Sequence, residues 1–125
     1  MTGTNPVTWF EIYVQDMERA LRFYEAVFTV KLERLSVGDG IDMRAFPGGP
    51  GRSGASGSLV CMPGAPSGGN STLVYFECDD CAVEGSRVTA AGGKIERDKL
   101  SIGQYGFIVL AVDTEGNMFG LHSMK

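Results

Sequence analysis

Two side chains of this sequence combine acid–base chemistry with a strand-like setting: Glu11 and His122, the latter being the only histidine among 125 residues. Glu11 lies in the alternating segment VTWFEIYV and His122 in MFGLHSM near the end of the chain. A buried glutamate beside a histidine favours the charged pair, which can move a proton or bind an amine. We therefore predict Glu11 and His122 as candidate catalytic residues. The alternative is that His122 is partly exposed and hydrogen-bonded to a backbone carbonyl.

Aromatic side chains accompany the glutamate on the same strand. Because side chains alternate along a strand, Trp9, Glu11 and Tyr13 share one face, and the more apolar residues between them are expected under a helix. An aromatic surface with one carboxylate, and Glu77 as a further candidate, suits a planar or cationic organic molecule. The alternative is that Trp9 only fills the core.

The segment SIGQYGF places Tyr105 beside a glycine in a predicted loop. A loop aromatic next to glycine can act as a lid over a binding site. The alternative is an ordinary connection with one packed tyrosine.

Two literal motifs are expected to be structural. Cys78 and Cys81 form a C-x-x-C, but a zinc site needs four ligands and the chain offers only one further cysteine and one histidine. The two aspartates between the cysteines are expected to raise the pKa of the thiols, which disfavours a redox site. Residues 49–54 match G-x-G-x-x-G, but Pro50 interrupts the motif and a strand rather than a helix follows, which predicts a flexible loop and no nucleotide.

The elements that must position these residues occur in one order, twice: a strand, a helix and three strands. Asp16 is the predicted N-cap of the first helix, and Asp79 or Asp80 that of the second, which ends near Ala91. The predicted strands are 7–14, 30–37, 41–47 and 58–62 in the first half, and 71–78, 94–100, 107–112 and 118–124 in the second.

The two halves also match residue by residue. KLER at 31–34 falls on KIER at 94–97, a shift of 63, which also places Gly57 on Gly120. We therefore predict one domain made of a duplicated module, with module one at about 7–62, a linker at 63–71 and module two at about 72–125. Each helix covers one sheet face only, so the uncovered faces are expected to form a cleft lined by two curved sheets.

Composition excludes several classes of function. The net charge of −4 disfavours nucleic acid binding, which needs basic patches. No apolar run approaches the ~20 residues of a membrane span, and the N-terminus does not resemble a secretory signal. We predict a cytoplasmic protein that binds neither membrane nor nucleic acid.

Three segments carry a resemblance to a known family. VQDMERALRFYEAVF, AAGGKI and VDTEGNMFGL resemble the first helix signature, the second helix end and the closing turn and strand of the glyoxalase / bleomycin-resistance / dioxygenase superfamily, also called vicinal oxygen chelate. The resemblance implies an α+β fold of tandem βαβββ modules forming a two-sheet cleft, and a homodimer. Thr29 stands where members usually carry glycine at the first helix end, a left-handed cap that costs a β-branched residue about 1 kcal/mol unless it adopts another geometry.

The resemblance also implies where metal-dependent members hold their ion: a histidine early in each module's first strand and a glutamate or similar group in each last strand. These positions fall on Trp9, on Leu73, on Gly57 or a neighbour, and on Gly120, and none of Trp9, Leu73, Gly57 and Gly120 offers a ligating side chain. We therefore predict no metal and no cofactor. Two residues further along the strands, Glu11, Tyr75 and His122 are expected to form a displaced polar layer.

These observations predict a metal-independent protein that binds a small molecule, in the manner of the drug-sequestering members. The predicted ligand-binding residues are Trp9, Tyr13, Leu73, Tyr75, Tyr105 and Gly120. One alternative is a glyoxalase-type lyase or isomerase, or a dioxygenase-like enzyme, that uses Glu11 and His122 and holds a divalent metal. A third interpretation is a module for protein–protein contact.

Overall fold

Strands and helices follow one another in the order that the internal repeat predicts. The structure is a computed structural model and describes residues 5–49, 51–69, 72–114 and 117–125. Two compact units result: one runs from Trp9 to Thr72, and the other combines Leu73–Lys125 with the described residues up to Thr8.

The first unit is a mixed sheet covered on one face by a helix. Its strands lie in the order β2-β3-β4-β1, with β1 parallel to β4 and the other neighbours antiparallel. The elements are β1 (Val7–Tyr13), α1 (Met17–Phe28), β2 (Glu33–Leu35), β3 (Asp42–Ala45) and β4 (Ser56–Cys61).

Helix α1 begins and ends as its sequence dictates. The Asp16 carboxylate accepts a 3.1 Å hydrogen bond from the backbone N–H of Arg19, the N-cap contact that was predicted. Its apolar stripe buries Met17 and Leu21 against Leu59 of β4. The helix ends at Thr29, which adopts the left-handed conformation with φ 54° and ψ 50°.

The second unit repeats this plan with the strand order β5-β8-β7-β6. Its elements are β5 (Thr72–Glu77), α2 (Cys81–Val88), β6 (Lys94–Ser101), β7 (Phe107–Val112) and β8 (Met118–Ser123), with a 3₁₀ turn at Gly103–Tyr105. Strand β5 is parallel to β8, and the other neighbours are antiparallel. Asp80, one of the two candidates, is the N-cap of α2, and the core beneath the helix contains Cys78, Cys81, Val109 and Leu121.

Two elements are shorter than the periodicity predicts. Strand β2 covers three residues of the predicted 30–37, because the N–H of Leu32 donates to the Glu25 carboxylate at 2.8 Å and Val30 packs against the core under α1. Helix α2 ends at Val88 instead of near Ala91, and hydrogen-bonded turns carry the chain to Gly92 at φ 104°. Neither described helix has the length and apolar character that crossing a bilayer would require.

Candidate functional site

The strand register of the first unit fixes which side chains face away from α1. Residues Ile12 and Val14 pack with α1, so Trp9, Glu11 and Tyr13 point to the opposite face. This grouping agrees with the alternation of the sequence. We call these three residues the β1 triad.

The triad is held together by hydrogen bonds to the carboxylate at its centre. Trp9 Nε1 donates to Glu11 Oε2 at 3.1 Å, and the Tyr13 hydroxyl donates to Glu11 Oε1 at 2.7 Å. Glu11 is only 8% exposed. Each carboxylate oxygen therefore has one aromatic donor, and both rings are fixed by the strand that carries the glutamate.

The buried carboxylate is without a cationic partner among the residues that the structure describes. Burial of a charge is costly unless hydrogen bonds or an opposite charge compensate it. Two hydrogen bonds from neutral donors supply part of this compensation. The remaining lone pairs of the carboxylate are suited to a hydrogen-bond donor or a positive group of a ligand.

A second polar group on this face was not predicted from the sequence. Ser58 of β4 is paired in register with Glu11 and is completely buried. Its hydroxyl finds no hydrogen-bond partner within the described part of the chain. An unpaired buried hydroxyl costs about 1–3 kcal/mol. Alternation within β4 indicates that the side chain of Ser58 lies on the same face as Glu11. The lack of a hydrogen-bond partner could not be predicted, because it depends on contacts between distant segments.

The corresponding face of the second unit collects the other predicted residues. Tyr75 of β5 pairs in register with Gly120 of β8, and Glu77 pairs with His122, so these four residues share one face. Leu73, two residues before Tyr75, lies on the same face, and both are buried. The carboxylate that lies beside His122 across the strands of this unit is Glu77. The pairing of Glu11 with His122, which belong to different units, stays a prediction.

His122 is tethered to the loop before β7. Its Nε2 lies 2.6 Å from the backbone carbonyl oxygen of Tyr105 and donates to it in the tautomer that carries the proton there. This is the contact that the second interpretation of His122 expected. The side chain of Tyr105 is 40% exposed. The catalytic role of His122 and the lid role of Tyr105 stay predictions.

Three of the four positions that hold a metal in metal-dependent members offer no ligand for an ion here. The indole of Trp9 donates to Glu11, and Leu73 is an apolar core residue. A Cβ at Gly120 would overlap the ring of Tyr75, so the space of a ligating side chain is filled by that ring. The described residues include no group of three or more histidine, cysteine, aspartate or glutamate side chains arranged to hold a metal.

The register also corrects the alignment of the two modules at the last strand. A Cβ at Gly57 would overlap the ring of Phe10, so Gly57 lies on the face covered by α1. Glu11 and Tyr75 lie equally far before their helix caps, and they pair with Ser58 and Gly120 respectively. The counterpart of Gly120 is therefore Ser58, the neighbour of Gly57.

The cysteine pair lies in the core beneath α2. Cys78 and Cys81 are both buried. Burial, followed by the nearby Glu84 carboxylate, raises the pKa of the Cys78 thiol to about 11. The raised pKa matches the expectation for a structural pair, but its causes are burial and Glu84 instead of the two intervening aspartates. A thiol that retains its proton at neutral pH is a poor nucleophile.

Comparison with known proteins agrees with this architecture. A family model described as the Glyoxalase/Bleomycin resistance protein/Dioxygenase superfamily matches residues 7–121. Two curated relatives, both provisionally named glyoxylase CFP32, come from Mycobacterium bovis and Mycobacterium tuberculosis. Each is 29% identical over 120 residues, which is 96% of this chain but only 44% of the relative. The chain thus spans less than half the length of these relatives.

Solved structures resemble the chain over nearly all its length. Methylmalonyl-CoA epimerase from Mycobacterium tuberculosis has a TM-score of 0.71 at 16% identity and covers 100% of this chain and 93% of its own. A variant of the Streptomyces coelicolor methylmalonyl-CoA epimerase, in complex with 2-nitronate-propionyl-CoA, has a TM-score of 0.70 at 14% identity, with 97% and 98% covered. At these identities the likeness shows a shared fold.

Proposed function

This chain belongs to the glyoxalase/bleomycin resistance/dioxygenase superfamily, and from that membership we propose that it binds a small organic molecule without a metal. One observation carries the proposal: the buried Glu11 carboxylate is held by the Trp9 indole and the Tyr13 hydroxyl. A carboxylate between two fixed aromatic groups forms a recognition surface for an organic ligand. In this arrangement Trp9, which stands at one of the customary metal positions, is a hydrogen-bond donor to Glu11.

The β1 triad supplies two kinds of interaction. The aromatic rings offer area for stacking and for cation–π contact. The carboxylate offers acceptors that orient a polar group of the ligand. By the same alternation, Leu73, Tyr75 and Gly120 of the second unit are proposed as further ligand-binding residues.

Binding is tested by thermal shift with planar aromatic compounds, with and without a cationic substituent. A compound that binds only the folded protein raises the melting temperature. We expect Glu11→Gln to reduce the shift produced by cationic compounds, because the charge that they contact is removed. Glu33→Gln is the matched control, since Glu33 is an exposed carboxylate on the same sheet. Equal shifts for both variants would refute the role of Glu11.

Metal independence is tested by elemental analysis of the purified protein and by titration with nickel, zinc, iron and manganese. We expect no stoichiometric metal, because three of the four customary positions, Trp9, Leu73 and Gly120, offer no ligating side chain. A stoichiometric ion whose binding survives dialysis would contradict the proposal. A ligand that binds equally well in the presence of a chelator supports it.

The alternative is an enzyme, and it rests on the names of relatives. The curated relatives carry a glyoxylase name and the solved structures an epimerase name. Glyoxalase and methylmalonyl-CoA epimerase assays, each with and without added divalent metal, decide between the two. We expect no turnover above background. Turnover abolished by Glu11→Gln would establish the enzyme instead.

We also propose that the protein is a homodimer, as the resemblance implies. Three apolar side chains at the C-terminal part of α1 are strongly exposed: Phe23, Val27 and Phe28. Exposed apolar patches of this kind are typical of contact surfaces. Sedimentation of a Phe23→Glu, Val27→Glu variant tests the proposal, with Val83→Glu on the exposed face of α2 as the control. A monomeric wild-type protein would exclude the dimer.

A further inference from the structure

A cavity of about 720 Å³ lies in the first unit, on the sheet face opposite to the β1 triad. The face is identified by Cys61, which lines the cavity and also packs with the core under α1. Its volume is within the usual range for small-molecule sites. The site is thus separate from the proposed ligand surface around Glu11.

The charges at this cavity leave one cation without a carboxylate. Arg34 of β2 lies directly opposite Arg44 of β3. Asp42 binds Arg44 through two hydrogen bonds, of 2.7 and 3.3 Å, while Arg34 has no ion-pair partner among the described residues. Like charges directly opposite on neighbouring strands are destabilising. An anion beside Arg34 would relieve this repulsion.

Asp42 and two carboxylates of α1 act on Arg44. The hydrogen bond that Arg44 donates to Asp42 raises the pKa of Arg44, and the charges of Glu18 and Glu25 contribute in the same direction. Asp42, the carboxylate that lines the cavity, is thus bound to Arg44. Arg34 and Asp42 both line the cavity, so the uncompensated guanidinium is available to a ligand there.

The remaining walls of the cavity are apolar and partly fixed. Ile41 and Met62 contribute apolar side chains. Gln15 donates through its amide nitrogen to the carbonyl of Ala65 at 3.3 Å and to that of Val14 at 3.4 Å. This contact connects the loop after β4 to the end of β1, which gives the cavity a defined side.

We propose that this cavity binds a small organic anion. The oxygens of a carboxylate or phosphate ester pair with the Arg34 guanidinium, whose planar donors match either group. The apolar body of the anion lies against Ile41 and Met62. Such a ligand compensates the positive charge of Arg34, which has no carboxylate partner in the described part of the chain because Asp42 is bound to Arg44. The site does not depend on the proposed function of the opposite face.

Cys61 provides a local reporter for this site. Cys61 lines the cavity and is partly exposed, whereas Cys78 and Cys81 are buried. Alkylation of the native protein with iodoacetamide, followed by peptide mass spectrometry, measures access to Cys61 separately from the other thiols. Binding at the Glu11 face does not cover this thiol, so the readout separates the two sites.

The probes are phenyl phosphate and benzoate, with neutral benzamide as the matched control. We expect at least one of the two anions to slow alkylation of Cys61 several-fold and benzamide to have no effect. Arg34→Met is expected to lower the affinity for the protecting anion about tenfold, because a charge-assisted contact is lost. Arg22→Met removes an exposed arginine of α1 and is expected to leave protection unchanged.

Three results would overturn the proposal. They are no protection by either anion, equal protection by benzamide, and undiminished protection in Arg34→Met. Asp42→Asn gives a second measurement, because it frees Arg44 and is expected to tighten anion binding several-fold. Phenyl phosphate alone and benzoate alone distinguish a phosphate-ester site from a carboxylate site.

Discussion

The Tyr13 hydroxyl donates a 2.7 Å hydrogen bond to Oε1 of Glu11, which lies two residues earlier on the same strand. Because Glu11 is buried, loss of this donor leaves one oxygen of a buried carboxylate without this hydrogen bond. The contact therefore connects the stability of the fold to the geometry of the proposed ligand surface.

We expect Tyr13→Phe to lower the free energy of unfolding by about 1.5–3 kcal/mol, the usual value for a hydrogen bond to a charged group. Urea unfolding measures the change. Tyr24→Phe is the control, since the Tyr24 ring packs against Phe46 but its hydroxyl makes no hydrogen bond with a described residue. In the Glu11→Gln background the cost of Tyr13→Phe should shrink. An undiminished cost would mean that the hydroxyl acts through another contact.

Thr29 ends α1 at φ 54°, a left-handed conformation that glycine adopts without steric cost. Thr29→Gly is expected to raise the free energy of unfolding by about 1 kcal/mol. Thr89 ends α2 at φ −62°, in the right-handed helical region. The same substitution there, Thr89→Gly, should be destabilising by about 1 kcal/mol. Thermal unfolding compares the pair, and changes of equal sign would contradict the strain at Thr29.

Substitution by alanine is expected to affect stability differently at two buried serines, Ser58 and Ser123. Ser58 has an unpaired hydroxyl, so Ser58→Ala should leave stability unchanged or raise it by up to about 1 kcal/mol. The Ser123 hydroxyl accepts a hydrogen bond from the Cys81 N–H at 2.9 Å and donates one to the Lys125 carbonyl at 2.8 Å. Ser123→Ala should therefore cost about 1–3 kcal/mol. Denaturant unfolding of both variants decides, and a costly Ser58→Ala would show that the Ser58 hydroxyl has a partner.

Gly120 has no room for a side chain because the ring of Tyr75 occupies the position of its Cβ. We expect Gly120→Ala to lower the free energy of unfolding by about 1–3 kcal/mol through overpacking. Gly38→Ala is the control, since its Cβ would make an ordinary 3.7 Å contact with Ile41. A Tyr75→Leu background should reduce the cost of Gly120→Ala. Full additivity of the two changes would argue that Tyr75 is not the obstacle.

The pKa of Cys78 gives stability a defined pH dependence. The thiol carries charge only after it loses its proton, and burial raises its folded pKa to about 11, above the usual value of ~8.5 in an unfolded chain. Its contribution to stability is therefore complete below about pH 8.5 and is lost as the pH rises towards 11. Denaturant unfolding between pH 8 and 11 should show a smaller decline for Cys78→Ala than for wild type. Identical slopes for wild type and Cys78→Ala would refute the assignment.

Much of the fold follows from local pattern. The alternation of VTWFEIYV, the spacing of Met17 and Leu21 and the capping aspartates predict strands and helices that the structure contains. The same alternation places Trp9, Glu11 and Tyr13 on one face. These features depend on residues close together in the chain, so composition and period are sufficient to predict them.

The register between distant strands is different. A shift of 63 aligns the modules at one place, but the two helix caps are 64 residues apart and Ser58 and Gly120, which pair with equivalent residues, are 62 apart. A slip of one residue moves a side chain to the other face of a sheet. For this reason the sequence could align Gly120 only with Gly57 or one of its neighbours. The strand pairing within each unit was needed to select Ser58 as the equivalent residue.

The sequence by itself determined the order of elements, the duplication, the family and the absence of a ligating side chain at Trp9, Leu73 and Gly120. Tertiary structure alone decided that Glu11 is buried with two aromatic donors, that His122 contacts the Tyr105 carbonyl, and that Arg34 lies across from Arg44 at a cavity. Periodicity reports the direction of each side chain relative to its own backbone. The partner that it meets depends on how segments far apart in the chain pack together, and no local pattern records that.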